Sequence, residues 1–99
     1  MVKLEIKADN KDIESVKKLV ETAINSEIKN LQRSLTKTEK ILEEFEVKYK
    51  TTSELFLTNY TAEDLQGGDE EYIQWFGEIK IKEKLISSLQ KLQNIEYVS

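Results

Sequence analysis

The side chains best suited to bind a cation or to act in catalysis are acids that lie close together in the sequence, between the middle and the last third of the chain. They are Glu63, Asp64, Asp69, Glu70 and Glu71. Carboxylates bind divalent cations, but this spacing fits no EF-hand loop, and helix capping accounts for three of the five. The chain has no histidine and no cysteine, so the commonest general base and two common zinc ligands are missing. We therefore predict no catalytic residue, no metal site and no cofactor, and we do not expect an enzyme.

A second charged group is basic and follows the spacing of a helix. Its members are Lys29, Arg33, Lys37 and Lys40, the first three at i, i+4 and i+8. Such a stripe can contact phosphate or an acidic partner, or it can be a solvated face paired locally with Glu27, Glu39, Glu43 and Glu44. The net charge of −4 gives no global attraction to nucleic acid. Nucleic-acid binding through this stripe is thus the less favoured alternative.

Four aromatic residues and three of the acids form a candidate partner-binding site. The aromatic residues are Phe56, Tyr72, Trp75 and Phe76, and the acidic rim is Asp69, Glu70 and Glu71. Aromatic anchors ringed by charge are typical of binding hot spots. Residues 51–99 carry a net charge of −5, which would steer a small basic partner. The alternative is that the aromatic residues are buried as part of the hydrophobic core at the end of a helical hairpin.

The elements that must position these residues are helical. Apolar residues recur every three or four positions through a seam of 28, 31, 35, 38, 42, 45 and 49, with polar Thr38 at one step. The pattern predicts a mainly α fold, a single helical domain over residues 1–99. Its elements are a strand at 2–8, a long helix at 10–49, short helical turns at 51–66 and a long helix at 70–94. We expect a hairpin of the two long helices, with Leu42, Phe45, Trp75, Ile79 and Leu89 buried.

The strand at 2–8 needs a partner, because a lone strand leaves its backbone groups unpaired. A second copy of the same strand, or a strand of another protein, is the preferred source, and Glu96–Val98 is a weaker internal candidate. With the apolar seam, this favours a homodimer of two hairpins in a four-helix arrangement. An unbroken helix over 10–49 would make the protein elongated, and a kink near Asn25–Ser26 is the alternative.

The composition also bears on location. No stretch approaches the roughly 18 apolar residues of a membrane span, and the N-terminus lacks the apolar core of a signal peptide. We therefore expect no membrane partner and a cytoplasmic protein.

One block of the chain resembles a known family. It comprises Lys48-Tyr49, then Thr52-Ser53-Glu54-x-Phe56-Leu57, then Gly68-Asp69-x-x-Tyr72-x-x-Trp75-x-Gly77-Glu78. This block resembles TumA-type antitoxins, small proteins encoded beside TumE-type toxins, and departs from them at Gln74, where an acid is usual. The resemblance implies neutralisation of a toxin by direct contact. The alternative is a homodimeric coiled-coil adaptor or structural protein without a toxin.

Overall fold

The computed structural model describes residues 2–98 and is mainly helical, with a short N-terminal strand, as the sequence predicts. Its elements in order are β1 (Val2–Glu5), α1 (Ile13–Tyr49), α2 (Ser53–Asn59), a 3-10 turn (Ala62–Asp64), α3 (Gly68–Gln93) and β2 (Ile95–Val98). Both long helices lie close to their predicted ranges, since α1 begins three residues later and α3 two residues earlier.

The first long helix, α1, is continuous through Asn25 and Ser26, so the kink is wrong and the elongated alternative is correct. A helix of 37 residues is about 55 Å long at roughly 1.5 Å per residue. The molecule accordingly measures 63 × 20 × 18 Å. Lys50 ends α1 in the left-handed conformation, with φ of 51°, and its N–H donates to the Glu46 carbonyl.

The second long helix, α3, runs antiparallel to α1. Going from the N-terminus of α3 towards its C-terminus, Glu71 contacts Lys48, Trp75 stacks on Phe45, and Lys82 pairs with Glu39. The partner numbers on α1 fall as those on α3 rise, which defines a hairpin. The predicted long-helix hairpin is therefore confirmed. No helix within residues 2–98 is both long enough and apolar enough to cross a membrane.

The main core lies at the end of the hairpin where α1 ends and α3 begins. It is formed by Leu42, Phe45, Phe56, Leu65, Trp75 and Ile79. The five residues predicted to be buried are all buried, including Leu89 further along α3. Thr38, the polar step of the seam, is buried as well. A seam with a three-to-four spacing must face a neighbouring helix, and here that helix is α3 of the same chain.

The N-terminal strand is paired within the chain. β1 and β2 form a parallel two-stranded sheet in which Val2 pairs with Ile95 and Leu4 with Tyr97. Beyond β1, the Ile6 N–H donates to the Val98 carbonyl at 2.8 Å. The preference for a strand from a second copy was wrong, and the weaker internal candidate is the partner. β1 also ends at Glu5 rather than residue 8, and the residues that follow it connect the sheet to α1.

The short elements between the long helices begin with side-chain caps. Thr52 accepts a hydrogen bond from the Leu55 N–H at the start of α2. Thr61 and Asp64 form a capping box at the start of the 3-10 turn. Gly67 is the N-cap residue of α3, and Asp69 lies in the first turn of this helix. Gly68 has a φ of +58°, a conformation that glycine adopts without a steric penalty.

Candidate protein-binding surface

The four aromatic residues of the predicted site lie in different environments. Phe56 and Trp75 are both 0% exposed, so neither can contact a partner of the folded chain. The assignment of these two residues to partner binding was wrong, and the core alternative is correct for them. Tyr72 is half-buried against the core, whereas Phe76 is 40% exposed. Phe76 is the most exposed of the four, and Lys80 Nζ lies 5.4 Å from the centroid of its ring.

Trp75 is the centre of the buried cluster. The rings of Phe45 and Phe56 both lie nearly parallel to its indole, with centroids 5.2 and 4.0 Å away. The ring of Tyr49 is 5.7 Å away. The indole Nε1 donates to the Ser53 hydroxyl at 3.0 Å, so the one polar atom of this side chain is satisfied. Trp75 therefore holds α1, α2 and α3 together and acts in stability.

The three residues of the acidic rim, like the aromatic residues, lie in different environments. Asp69 and Glu70 are exposed, but Glu71 binds within the chain. The Glu71 carboxylate accepts hydrogen bonds from Lys48 Nζ at 2.6 Å, from the Tyr49 hydroxyl and from the Gly67 N–H at 2.6 Å. These donors, Lys48 first, lower the pKa of Glu71 to about 2. This arrangement, called the Glu71 clasp below, ties the start of α3 to the end of α1.

The basic stripe is exposed at all four positions, Lys29, Arg33, Lys37 and Lys40. Within residues 2–98 no carboxylate lies within ion-pair distance of any of them. Arg33 instead donates to the Asn30 side chain at 2.9 Å. Glu39, one of the acids expected to pair with the stripe, forms its ion pair with Lys82 on α3 at 3.6 Å. Local pairing thus does not account for the stripe, whose four basic side chains are all exposed.

The described chain also carries a groove that the sequence does not predict. It encloses about 520 Å³ between α1, α2 and α3. Leu42 and Ile79 form its buried floor, and Leu57 and Ile86, each 36% exposed, extend the apolar surface. The remaining lining residues are Glu39, Glu43, Glu46, Ser53, Glu54, Lys82 and Glu83. We call this surface the acidic groove.

The acidic groove carries a strong negative charge. Five glutamates and one lysine line it, and the lysine, Lys82, is already paired with Glu39. Glu46 is held by the Ser53 N–H at 2.8 Å, which fixes its carboxylate beside α2. Glu43 and Glu54 form no ion pair within residues 2–98. Closely spaced carboxylates above an apolar floor attract cations and repel anions, so the groove suits a basic, partly apolar ligand.

A sequence signal for this groove does exist. Glu39, Glu43 and Glu46 recur at i, i+4 and i+7 beside Leu42, so they lie on one side of the buried face of α1. What the sequence cannot show is that Glu54 and Leu57 of α2 close the same groove. No group of three acidic side chains within the described chain is arranged to hold a metal ion.

No protein-family model, no curated protein and no solved structure matches this chain.

Proposed function

We propose that this chain is a protein-binding module, the antitoxin of a toxin–antitoxin pair, which neutralises a small basic toxin by direct contact. The observation that carries the proposal is the acidic groove, where five carboxylates surround an apolar floor formed by Leu42 and Ile79. The resemblance of the Lys48–Glu78 block to TumA-type antitoxins supplies the biological role. The acidic second half, with its net charge of −5, supports steering of a basic partner.

The shape of the groove defines the segment of the toxin that it takes. From Glu39 to Glu46 the groove follows α1 over seven residue steps, about 10 Å at roughly 1.5 Å per residue. This length matches two turns of a helix. An amphipathic helix would place apolar side chains over Leu57 and Ile86 and its flanking Lys or Arg side chains beside Glu43 and Glu54. Helix-in-groove binding of this kind derives its affinity from apolar anchors and its orientation from charge.

Compared with the site predicted from sequence, this proposal moves the contact surface. Phe56 and Trp75 contribute to the shape of the groove only by holding α2 in place. The exposed rim residues Asp69 and Glu70 and the ring of Phe76 lie outside the groove lining and keep a secondary role in long-range attraction. Reversing the whole rim would also disrupt the Glu71 clasp, so it is a poorer test than reversing groove charges.

The test uses the product of the reading frame adjacent to the gene for this chain. Binding to that product is measured by calorimetry at low salt, and neutralisation by growth of cells that express both proteins. The variant carries Glu43→Lys and Glu54→Lys, which reverse the two unpaired groove carboxylates. We expect a loss of affinity of at least tenfold and loss of growth rescue.

The matched control carries Glu44→Lys and Glu63→Lys. Both residues are exposed glutamates outside the groove, and the two variants have the same net charge. Glu63 lies in the first turn of its helical element, as Glu54 does, so the capping cost is comparable. Equal binding by both variants would refute the groove as the contact surface. Failure of the unmodified chain to bind the adjacent product would refute the antitoxin role.

A further inference from the structure

The outer face of α3, opposite the core, carries an apolar stripe. Ile73, Gly77 and Ile81 recur at i, i+4 and i+8, and therefore align along one side of the helix. The side chains of Ile73 and Ile81 are 69% and 46% exposed. Phe76, 40% exposed, flanks them. Ile73 and Ile81 are thus two large aliphatic side chains exposed on one helix face, about two turns apart with Gly77 midway between them.

Gly77 lies at the centre of this stripe, and nothing within the chain requires a glycine there. A Cβ added at Gly77 would meet no atom within 4 Å. Its backbone is helical, and glycine is less favourable than alanine in a helix interior. A glycine here is explained if another helix packs against this face, because the absence of a side chain lets the two helix axes approach more closely.

The charges at the ends of the stripe identify the neighbouring helix. Glu70 and Lys84 each lie seven residues from Gly77, one on either side, and both are exposed. Neither takes part in an ion pair within residues 2–98. In an antiparallel pair of α3 helices related by a twofold axis at Gly77, Glu70 faces the partner's Lys84, and Ile73 faces the partner's Ile81. Such self-complementarity is the requirement for an isologous dimer.

We propose that the outer face of α3, formed by Glu70, Ile73, Gly77, Ile81 and Lys84, binds a second copy of this chain in an antiparallel dimer. This dimer differs from the one expected from the sequence, because β1 is paired with β2 and the apolar seam of α1 is covered by α3. None of the five residues lines the acidic groove. The dimer thus leaves both grooves open, and it stands whether or not the proposed toxin binding is correct.

The stripe comprises five residues, fewer than the roughly 20–30 residues per side of a standard interface, so we expect a dissociation constant in the weak, transient range. Sedimentation equilibrium of the full chain from about 5 µM to about 1 mM measures it. Glu70→Lys and Lys84→Glu should each weaken the dimer at least tenfold, because in each variant dimer two pairs of like charges face one another across the interface. An equimolar mixture of the two variants should restore association, since the heterodimer again pairs opposite charges at both sites.

Gly77→Gln provides an independent test of the close approach. It should weaken dimerisation at least tenfold while making the monomer more resistant to urea, because glutamine is the better helix former. Lys40→Glu, an exposed charge reversal on α1, is the control and should leave the dimer unchanged. A chain that stays monomeric at the highest concentration would overturn the proposal. So would a dimer that Gly77→Gln leaves intact, or a mixture of the two charge variants that fails to associate.

Discussion

The indole of Trp75 and the ring of Phe56 lie face to face, with centroids 4.0 Å apart and planes inclined by 7°. Both side chains are 0% exposed, although they belong to different helices. The stack attaches α2, a helix of only seven residues, to the hairpin. Because α2 forms one wall of the acidic groove, the buried aromatic cluster determines the shape of the surface proposed to bind a partner.

The core end of the hairpin should be sensitive to loss of a single ring. Phe45 is buried and stacks on Trp75, so Phe45→Ala should lower the free energy of unfolding by about 3–5 kcal/mol. Urea titration followed by circular dichroism measures the loss. Val47→Ala, at a position 69% exposed on the same helix, should change it by no more than about 0.5 kcal/mol. A loss below about 1 kcal/mol for Phe45→Ala would contradict the described core.

The hydrogen bond between Trp75 and Ser53 should contribute measurably to stability. Ser53→Ala leaves the indole N–H buried without its acceptor, which should cost about 1–3 kcal/mol. For a domain of this size the melting temperature falls by about 4–8 °C per kcal/mol. Thermal denaturation measures the change, and Ser87→Ala at an exposed position of α3 is the control. An unchanged melting temperature for Ser53→Ala would show that the indole N–H finds another partner.

The Glu71 clasp should make stability depend on pH in the acid range. The hydrogen bonds from Lys48, Tyr49 and the Gly67 N–H hold the folded pKa of Glu71 at about 2, below its ordinary value of 4.5. Between these values the unfolded chain binds more protons, so the contribution of the clasp is complete above pH 4.5 and is lost as the pH falls towards 2. Urea midpoints across this window should fall less steeply in Glu71→Gln than in the unmodified chain.

Glu70→Gln provides the control for that experiment, because Glu70 is an exposed acid one residue away in the same helix turn. The urea midpoint of Glu70→Gln should fall with pH as steeply as that of the unmodified chain. If the midpoint of Glu71→Gln falls equally steeply, the clasp does not stabilise the folded state.

Gly67 should be intolerant of even the smallest side chain. A Cβ there would lie 2.3 Å from Cγ of Glu71, so Gly67→Ala must displace that side chain from the clasp. Its backbone φ of −85° suits alanine, and the cost of about 1–3 kcal/mol comes from the contact alone. A double-mutant cycle with Glu71→Ala separates the cost of this contact from other effects of Gly67→Ala. In the Glu71→Ala background, Gly67→Ala should cost nothing further, and a persistent loss would contradict this explanation.

The sequence by itself determined the helices and most of the core. Apolar residues three and four apart place Leu42 and Phe45 on one face of α1, and Trp75, Ile79 and Leu89 on one face of α3, whatever lies beyond them. Two such faces of comparable width must cover each other, so the hairpin follows from local periodicity. Local periodicity did not identify β2 as the partner strand of β1. That pairing depends on where the two ends of the chain meet, and the antiparallel packing of two helices of unequal length sets this position.

Tertiary structure alone decided which of the predicted contact residues reach the surface. Trp75 and Phe76 are neighbours in sequence, but successive helix positions point about 100° apart, so both cannot face the core. Trp75 is the one that faces the core, because Phe56 and Ser53 of α2 cover its ring. Glu70 and Glu71 differ for the same reason, since only Glu71 reaches Lys48 and Tyr49 at the end of α1. The position of α2 and the end of α1, both distant in sequence from α3, made these distinctions.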